Sequence, residues 1–532
     1  MAQSPSTHTK KGVSLSNIAT LLMTTSLIGQ LLGFFRTQLI SSNFTKFDKA
    51  ATDAYFAAFT IPDFFFFTLA AGALGVAFMP VLSDRLHRGD RKGVWELSNS
   101  LMNLLTVIMA LIGVLIFAFA DQLIRYVVGT NLAGDPQHFQ EAVTILRLIA
   151  FNPMLFAISG VMSSTQQVLG RFFFYALAPL FYNLSIIAGV YIFRHNIGVV
   201  GLGVGALIGA LLQLFIIGVG ALGLRFTWRP KIIWHSQDFK TILRQLPARS
   251  LDQGMDQIGN VIDTNRASHL AEGSISNYNY AYTLHTAPIL LLGTAISTAA
   301  FPRLTARLSQ GRPDLFRKDF LMILRLLIWL VLPVAVVSFF GRGYLVRILL
   351  KYANTDVATI FGFLVVAIIF RTLYTIISRW FYANKDTKTP LFVSVFTIGL
   401  NVVLSFTLSR PTAYGVVGLA LAQSIVAFVE VVILSVIIAR RDPKLLDAVF
   451  WGACTRIIAV TGFTLIAGYI VAAYVPLGAN DIGILTLGSK LLLITGVIFG
   501  THFLMSWIFG LEEVRPIINR VKRLVWRPVR YL

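Results

Sequence analysis

The chain has 532 residues, of which 56% are hydrophobic and only 13% charged, with a mean hydropathy of +0.73 and a formal net charge of +21. So few polar groups cannot clothe a soluble globule of this length, which predicts an integral membrane protein instead. Cys454 is the single cysteine, so a disulfide framework and a thiolate metal site are both excluded.

Residues 1–16 are short, polar and basic, with no cleavable signal ahead of the first apolar run, and read as a cytoplasmic lead-in. Stretches long enough to cross a bilayer, roughly 20 residues each, follow at 18–39, 54–82, 101–120, 145–168, 172–193 and 199–222. The second half supplies 275–304, 320–340, 360–381, 391–408, 416–438, 449–475 and 484–509. Between the halves, 246–270 is too polar for lipid but completes the count, so about fourteen spans are expected. The tail, 512–532, mixes Arg515, Arg520, Lys522, Arg523, Arg527 and Arg530 with apolar residues and reads as an interfacial helix on anionic lipid.

The basic residues explain the net charge by where they lie. They crowd alternate loops: Arg85, Arg88, Arg91 and Lys92; then Arg225, Arg229, Lys231, Lys240 and Arg244; then Arg303 to Lys318, Lys385 with Lys388, and Arg440 to Lys444. The intervening loops carry few. That alternation is the positive-inside pattern; it puts both termini in the cytoplasm, requires an even number of spans, and argues against a nucleic-acid partner.

The chain also repeats itself. Ala77-Phe78-Met79-Pro80-Val81-Leu82 returns as Ala299-Ala300-Phe301-Pro302-Arg303-Leu304, about 220 positions later, and Gly198-Val199-Val200-Gly201-Leu202 returns as Gly415-Val416-Val417-Gly418-Leu419. A period holding six spans gives two lobes entering the membrane in the same direction, related by a pseudo-two-fold axis along the membrane normal. The expected fold is therefore all-α: an N-lobe at 17–224, a cytoplasmic linker at 225–244, a C-lobe at 245–440, two appended helices at 441–511 and the basic tail. Gly201, Gly203, Gly205 and Gly209 lie inside an apolar span, where such spacing means close helix packing rather than a nucleotide loop.

The polar groups in the spans are the candidate site. Arg249, Asp252, Asp256, Asn260, Asp263 and Arg266 step by three and four, so they share one stripe of a helix. Two readings are open: internal i,i+3 pairs, Arg249 with Asp252 and Asp263 with Arg266, or a face turned to a wet cavity. Arg36 lies inside the first span, with Asp53 and Asp63 in the second; its planar, permanently charged fork suits an anionic phosphate group, and a salt bridge to either aspartate is the alternative. Pro62 and Pro288 are expected to interrupt their helices. Arg147, Arg325, Arg371, Arg379, Glu430 and Arg456 read as snorkelling or interlobe pairing residues, and His285 as a hydrogen-bonded cavity residue. No Walker loop, paired metal ligands or nucleophile elbow is present, so no enzyme is expected, and no cofactor; energy for transport would come from an Na+ or H+ gradient or from the membrane potential.

The motif series Gly33-Phe34-Phe35-Arg36, Thr52-Asp53-Ala54-Tyr55, Ile61-Pro62-Asp63, Asn279-Tyr280-Ala281, Asp386-Thr387-Lys388-Thr389-Pro390 and Gly418-Leu419-Ala420-Leu421-Ala422 resembles the MurJ (MviN) lipid II flippases, and it does so over nearly the whole chain. The resemblance implies a fourteen-helix member of the multidrug, oligosaccharidyl-lipid and polysaccharide exporter superfamily in the bacterial inner membrane. Its cargo would be the undecaprenyl-diphosphate-linked peptidoglycan precursor, with membrane lipids and the cell-wall synthesis machinery as further partners. Arg36 matches one of the family's cavity arginines; Arg249 and Arg266 of the polar stripe are the candidates to supply the remaining cations, Asp53 and Asp63 complete the expected substrate site, and the cation coupling of some family members would fall to Asp252, Asp256 and Asp263. Where the family has further cavity arginines, this chain has Gln30, Phe66, Phe67 and Thr283, and Ala71 stands where an acidic residue is usual. Two alternatives remain open: an exporter of another polyprenyl-linked glycan or amphipathic molecule, and a non-transporting cell-wall scaffold.

Overall fold

The computed structural model describes residues 15–71, 78–129, 135–224, 226–479 and 481–515, with the side chains of 15–20, 71, 247–253, 255 and 256 outside that description. Most of the expected lead-in, and the basic tail beyond 515, lie outside the described residues. Every regular element among the described residues is helical. Among the described residues eleven helices are long and apolar enough to cross a membrane, and the chain is a multi-pass membrane protein. Three further long helices, Leu15–Ile40, Lys49–Phe65 and Gln237–Ser268, are not among those eleven, so length and apolarity alone do not reach fourteen spans.

The helices begin where short polar side chains can satisfy their free amides. Asp90 accepts the Gly93 amide at 2.8 Å to open Arg91–Ala118, Asn354 accepts Val357 at 3.1 Å to open Thr355–Ala383, and Asp447 accepts Phe450 at 2.8 Å to open Ala448–Tyr474. The prolines act less drastically than expected. Lys49–Phe65 runs through Pro62 and passes into a π-turn at Phe66–Ala71; Ser274–Pro288 ends on Pro288 and continues as a π-turn, Ile289–Thr294, into Ala295–Ser309. The ladder absorbs the missing N–H by a change of register instead of a break.

By its contacts the chain forms two compact units: 1–39, 58–123 and 140–257; and 40–57, 124–139 and 258–532. In the first, Phe78, Leu82, Leu97, Leu101, Phe239 and Ile242 are fully buried together. Phe173–Phe193 and Val200–Ala221 approach so closely that a Cβ on Gly205 would lie 2.9 Å from the Ser185 carbonyl, and one on Gly209 2.9 Å from the Tyr182 ring, which is the small-residue packing read from the sequence. The connection over 226–236 lies along Arg91–Ala118. Asn99 donates to the Thr227 carbonyl, Asn103 to those of Arg229 and Lys231, and Ser100 accepts the Ile233 amide, so an irregular backbone is satisfied by polar side chains of an apolar helix.

In the second unit, Leu304, Phe320, Ile376, Phe381, Leu434 and Ile438 form the main core. Around Trp329 is a smaller core: its indole donates to Ser506 at 2.8 Å, and buried His502 meets its carbonyl and Thr464. Cys454 is buried in Ala448–Tyr474.

The sequence repeat is also a repeat of backbone geometry. Gly198 and Gly415 have φ of 58° and 55°, the left-handed region where a side chain is strained, immediately before Val200–Ala221 and Val416–Arg441. Three residues on, Gly201 packs against Phe193 and Gly418 against the Leu408 carbonyl, in each case the end of the preceding helix. The same turn is built twice.

Candidate functional site

In the first unit, Leu15–Ile40 carries Arg36 and Lys49–Phe65 carries Asp63. The Nε of Arg36 is buried and has no hydrogen-bond partner, and Asp63 lies within the electrostatic reach of the guanidinium. Asp63 faces a cavity of about 10 Å³, walled by Phe59, Phe66, Phe156 and Tyr182 and capped by Asn152. Asn152 is 3% exposed, and neither its Oδ1 nor its Nδ2 has a partner. Of the positions where family arginines are missing, Gln30 and Thr283 are exposed and Phe66 is part of this wall. Arg147 pairs with Asp121 at 3.1 Å.

In the second unit, Asp53 is buried and its two carboxylate oxygens accept the backbone amides of Gly273 (2.8 Å) and Ser276 (2.7 Å). It thus caps Ser274–Pro288 with a negative charge at the positive end of the helix dipole. Beside it, Thr45 shares a 2.6 Å hydrogen bond with the Tyr280 hydroxyl and donates to Thr52, while Asn265 and Ser268 donate to the carbonyls of Val127 and Val128. His138 Nε2 lies 3.5 Å from Asp48 and 3.6 Å from Asp135.

The polar stripe is partly visible. The side chains of Arg249, Asp252 and Asp256 lie outside the described residues. Asp263 and Arg266 go to different partners rather than to each other. Asp263 accepts from Tyr278 (2.9 Å), Ser405 (3.1 Å) and Gln423 (3.2 Å), while Arg266 donates to Ser409 and lies over the Phe406 ring at 4.6 Å. Gln423 in turn accepts from Arg371 at 3.4 Å, and Arg371 pairs with buried Glu430 at 3.1 Å. A donor-only guanidinium on one side and a carboxylate on the other fix which way the Gln423 amide points. Arg371 with Glu430, and Arg325 with Glu513, are pairs inside the second unit, where the sequence suggested snorkelling or interlobe contacts. His285 also differs from expectation, since neither ring nitrogen has a hydrogen-bond partner.

Residues 43–484 match the family model described as "Lipid II flippase MurJ". The chain belongs to the lipid II flippase MurJ family. Curated relatives agree along most of its length. It is 24% identical over 521 residues to a probable lipid II flippase MurJ of Bdellovibrio bacteriovorus, covering 95% of this chain and 96% of that one. It is 27% identical over 405 residues to the lipid II flippase MurJ of Burkholderia cenocepacia, covering 71% and 76%. The fold is similar to a structure titled as lipid II flippase MurJ in an inward closed conformation, with a TM-score of 0.75, 22% identity and coverage of 94% of this chain and all of that one. It is also similar to an inward-facing multidrug resistance transporter of the MATE family and MOP superfamily, with a TM-score of 0.67 at 15% identity, covering 80% and 99%.

Asn152 and Gln423 are polar groups that the sequence analysis did not single out, while Arg371 and Glu430, named there as snorkelling or interlobe pairing residues, pair with each other. Their signal in the sequence is an amide or ionisable residue inside a run otherwise apolar enough to span, as in Ala150-Phe151-Asn152-Pro153.

Proposed function

We propose that this chain moves the undecaprenyl-diphosphate-linked peptidoglycan precursor, lipid II, from the inner to the outer leaflet of the bacterial cytoplasmic membrane by alternating access, with both termini in the cytoplasm. Membership of the MurJ family across 43–484 carries the reading. Arg36 supports it at the level of chemistry: an embedded guanidinium whose Nε is unpartnered has a donor to give to a diphosphate oxygen. The charge alternation of the loops supports the orientation. Transport in this reading is driven by an ion gradient or by the membrane potential.

The test is rescue of a strain depleted of its own lipid II flippase, scored with membrane insertion of this protein verified. Growth and normal cell shape are expected, with Arg36→Gln failing at equal membrane abundance. Lysis despite correct insertion would overturn the assignment.

A further inference from the structure

We propose that the first unit contains a binding site for one dehydrated monovalent cation of about the size of Na+, formed by Asp63, Asn152 and the Ile149 carbonyl around the cavity beside Arg36.

Three aspartates on Lys49–Phe65 and Gln237–Ser268 differ in how they are satisfied. Asp53 receives two backbone amides, and Asp263 receives three side-chain donors. Among the described residues no donor reaches Asp63, whose only charged neighbour is Arg36. Asp63 is half-buried; a carboxylate turned toward phenylalanine rings with no hydrogen bond is poorly solvated there, and such a group is normally compensated by a proton or a cation. The facing residue is incomplete in the same sense, because Asn152 is buried with both amide atoms unpartnered. Pro153 adds a third oxygen. It has no amide hydrogen to give the carbonyl four residues back, which belongs to Ile149, another residue lining the cavity.

The ligand set is therefore all oxygen, which selects hard cations over transition metals. It holds one formal negative charge, which suits a monovalent ion. The volume of about 10 Å³ is that of a single small sphere, near the lower limit for one water, so the ion enters without its hydration shell.

The position beside Arg36 gives the site a consequence. An empty Asp63 draws on the field of the guanidinium, whereas a cation at Asp63 neutralises the carboxylate and leaves Arg36 to an anion. Cation and diphosphate binding then favour each other, and linkage requires the effect to be reciprocal.

The experiment uses the purified full-length protein in nanodiscs at constant, near-neutral pH, with sodium chloride replaced stepwise by choline chloride. Saturable 22Na binding and a sodium-dependent rise in melting temperature are expected in the wild type. Asp63→Asn abolishes both, and Asn152→Ala, which leaves the charge in place, weakens sodium binding by about tenfold or more. Should Asp63→Asn fail to fold, judged by melting without sodium, Asn152→Ala carries the test alone. Geranyl diphosphate serves as the anionic probe: sodium tightens its binding in the wild type but not in Arg36→Gln. Wild-type sodium affinity in both variants, no sodium binding at all, or a melting temperature that follows pH but ignores sodium would each overturn the proposal. The measurements need no transport, so such an outcome leaves the flippase reading to the rescue experiment.

Discussion

The carboxylate of Asp53 holds the backbone amides of Gly273 and Ser276, at 2.8 and 2.7 Å, across some 220 residues of chain. One side chain ties the start of Lys49–Phe65 to the start of Ser274–Pro288. Asp53→Asn keeps one acceptor and turns a donor toward an amide that is itself a donor. A loss of about 1–3 kcal/mol is expected, measured by denaturant or thermal unfolding of the purified protein; an unchanged midpoint would contradict this role.

Asp263 joins more elements. Its donors come from Ser274–Pro288, Lys388–Leu408 and Val416–Arg441. Asp263→Ala orphans three buried donors at about 1–3 kcal/mol each, whereas Tyr278→Phe removes one hydrogen bond at about 1 kcal/mol. The large difference between these two variants is the prediction, and equal melting temperatures would refute it.

For Arg36, Arg36→Gln keeps some hydrogen-bonding capacity but removes the charge. Losing a charged donor to a buried phosphate costs about 2–5 kcal/mol, so transport falls by roughly one and a half to three and a half orders of magnitude. Arg36→Lys recovers part of it, because an ammonium keeps the charge but not the fork. Transport of a fluorescent lipid-linked diphosphate in proteoliposomes reads both effects.

Outside the spans, Asp386 precedes Lys388–Leu408 and is met by Arg441 and Thr389. Burial raises its pKa, but the Arg441 and Thr389 hydrogen bonds outweigh it and bring the carboxyl down to about 2. The folded pKa is depressed, so the stabilisation is present above the unfolded value of about 4 and is lost as pH falls through about 2. Asp386→Asn should therefore lower the melting temperature at neutral pH, and the gap from wild type should close only in that acid window.

Gly205 offers a packing test. Its Cβ position is 2.9 Å from the Ser185 carbonyl, a backbone atom that cannot turn aside. Gly205→Leu should force Phe173–Phe193 and Val200–Ala221 apart at a cost of about 1–3 kcal/mol, seen as a lower unfolding midpoint. Gly218→Leu, where nothing lies within 4 Å, is the expected neutral control.

Much of this was written along the chain. Hydropathy locates helices because a bilayer admits few other structures, and the glycines at 198 and 415 announce the same turn twice. Which polar groups meet was not written there. Asp53 and Gly273 are far apart in sequence, and no local spacing connects them. Arg325, Arg371 and Glu430 are legible in the sequence only as snorkelling or interlobe pairing residues, because Arg371 meets Glu430 across 59 positions and Arg325 meets Glu513 across 188. The unpartnered Asn152 was passed over for a related reason: it carries no charge, and only its surroundings reveal that nothing satisfies it.

Sheltered at 8% exposure inside Ala448–Tyr474, Cys454 leaves the outer surface without a native thiol. Cysteines engineered in pairs into surface loops can therefore take spin or fluorescent labels without first stripping the wild-type protein of others. Distances between such labels, read as cargo and ions are added, would follow the working cycle in an almost unaltered molecule.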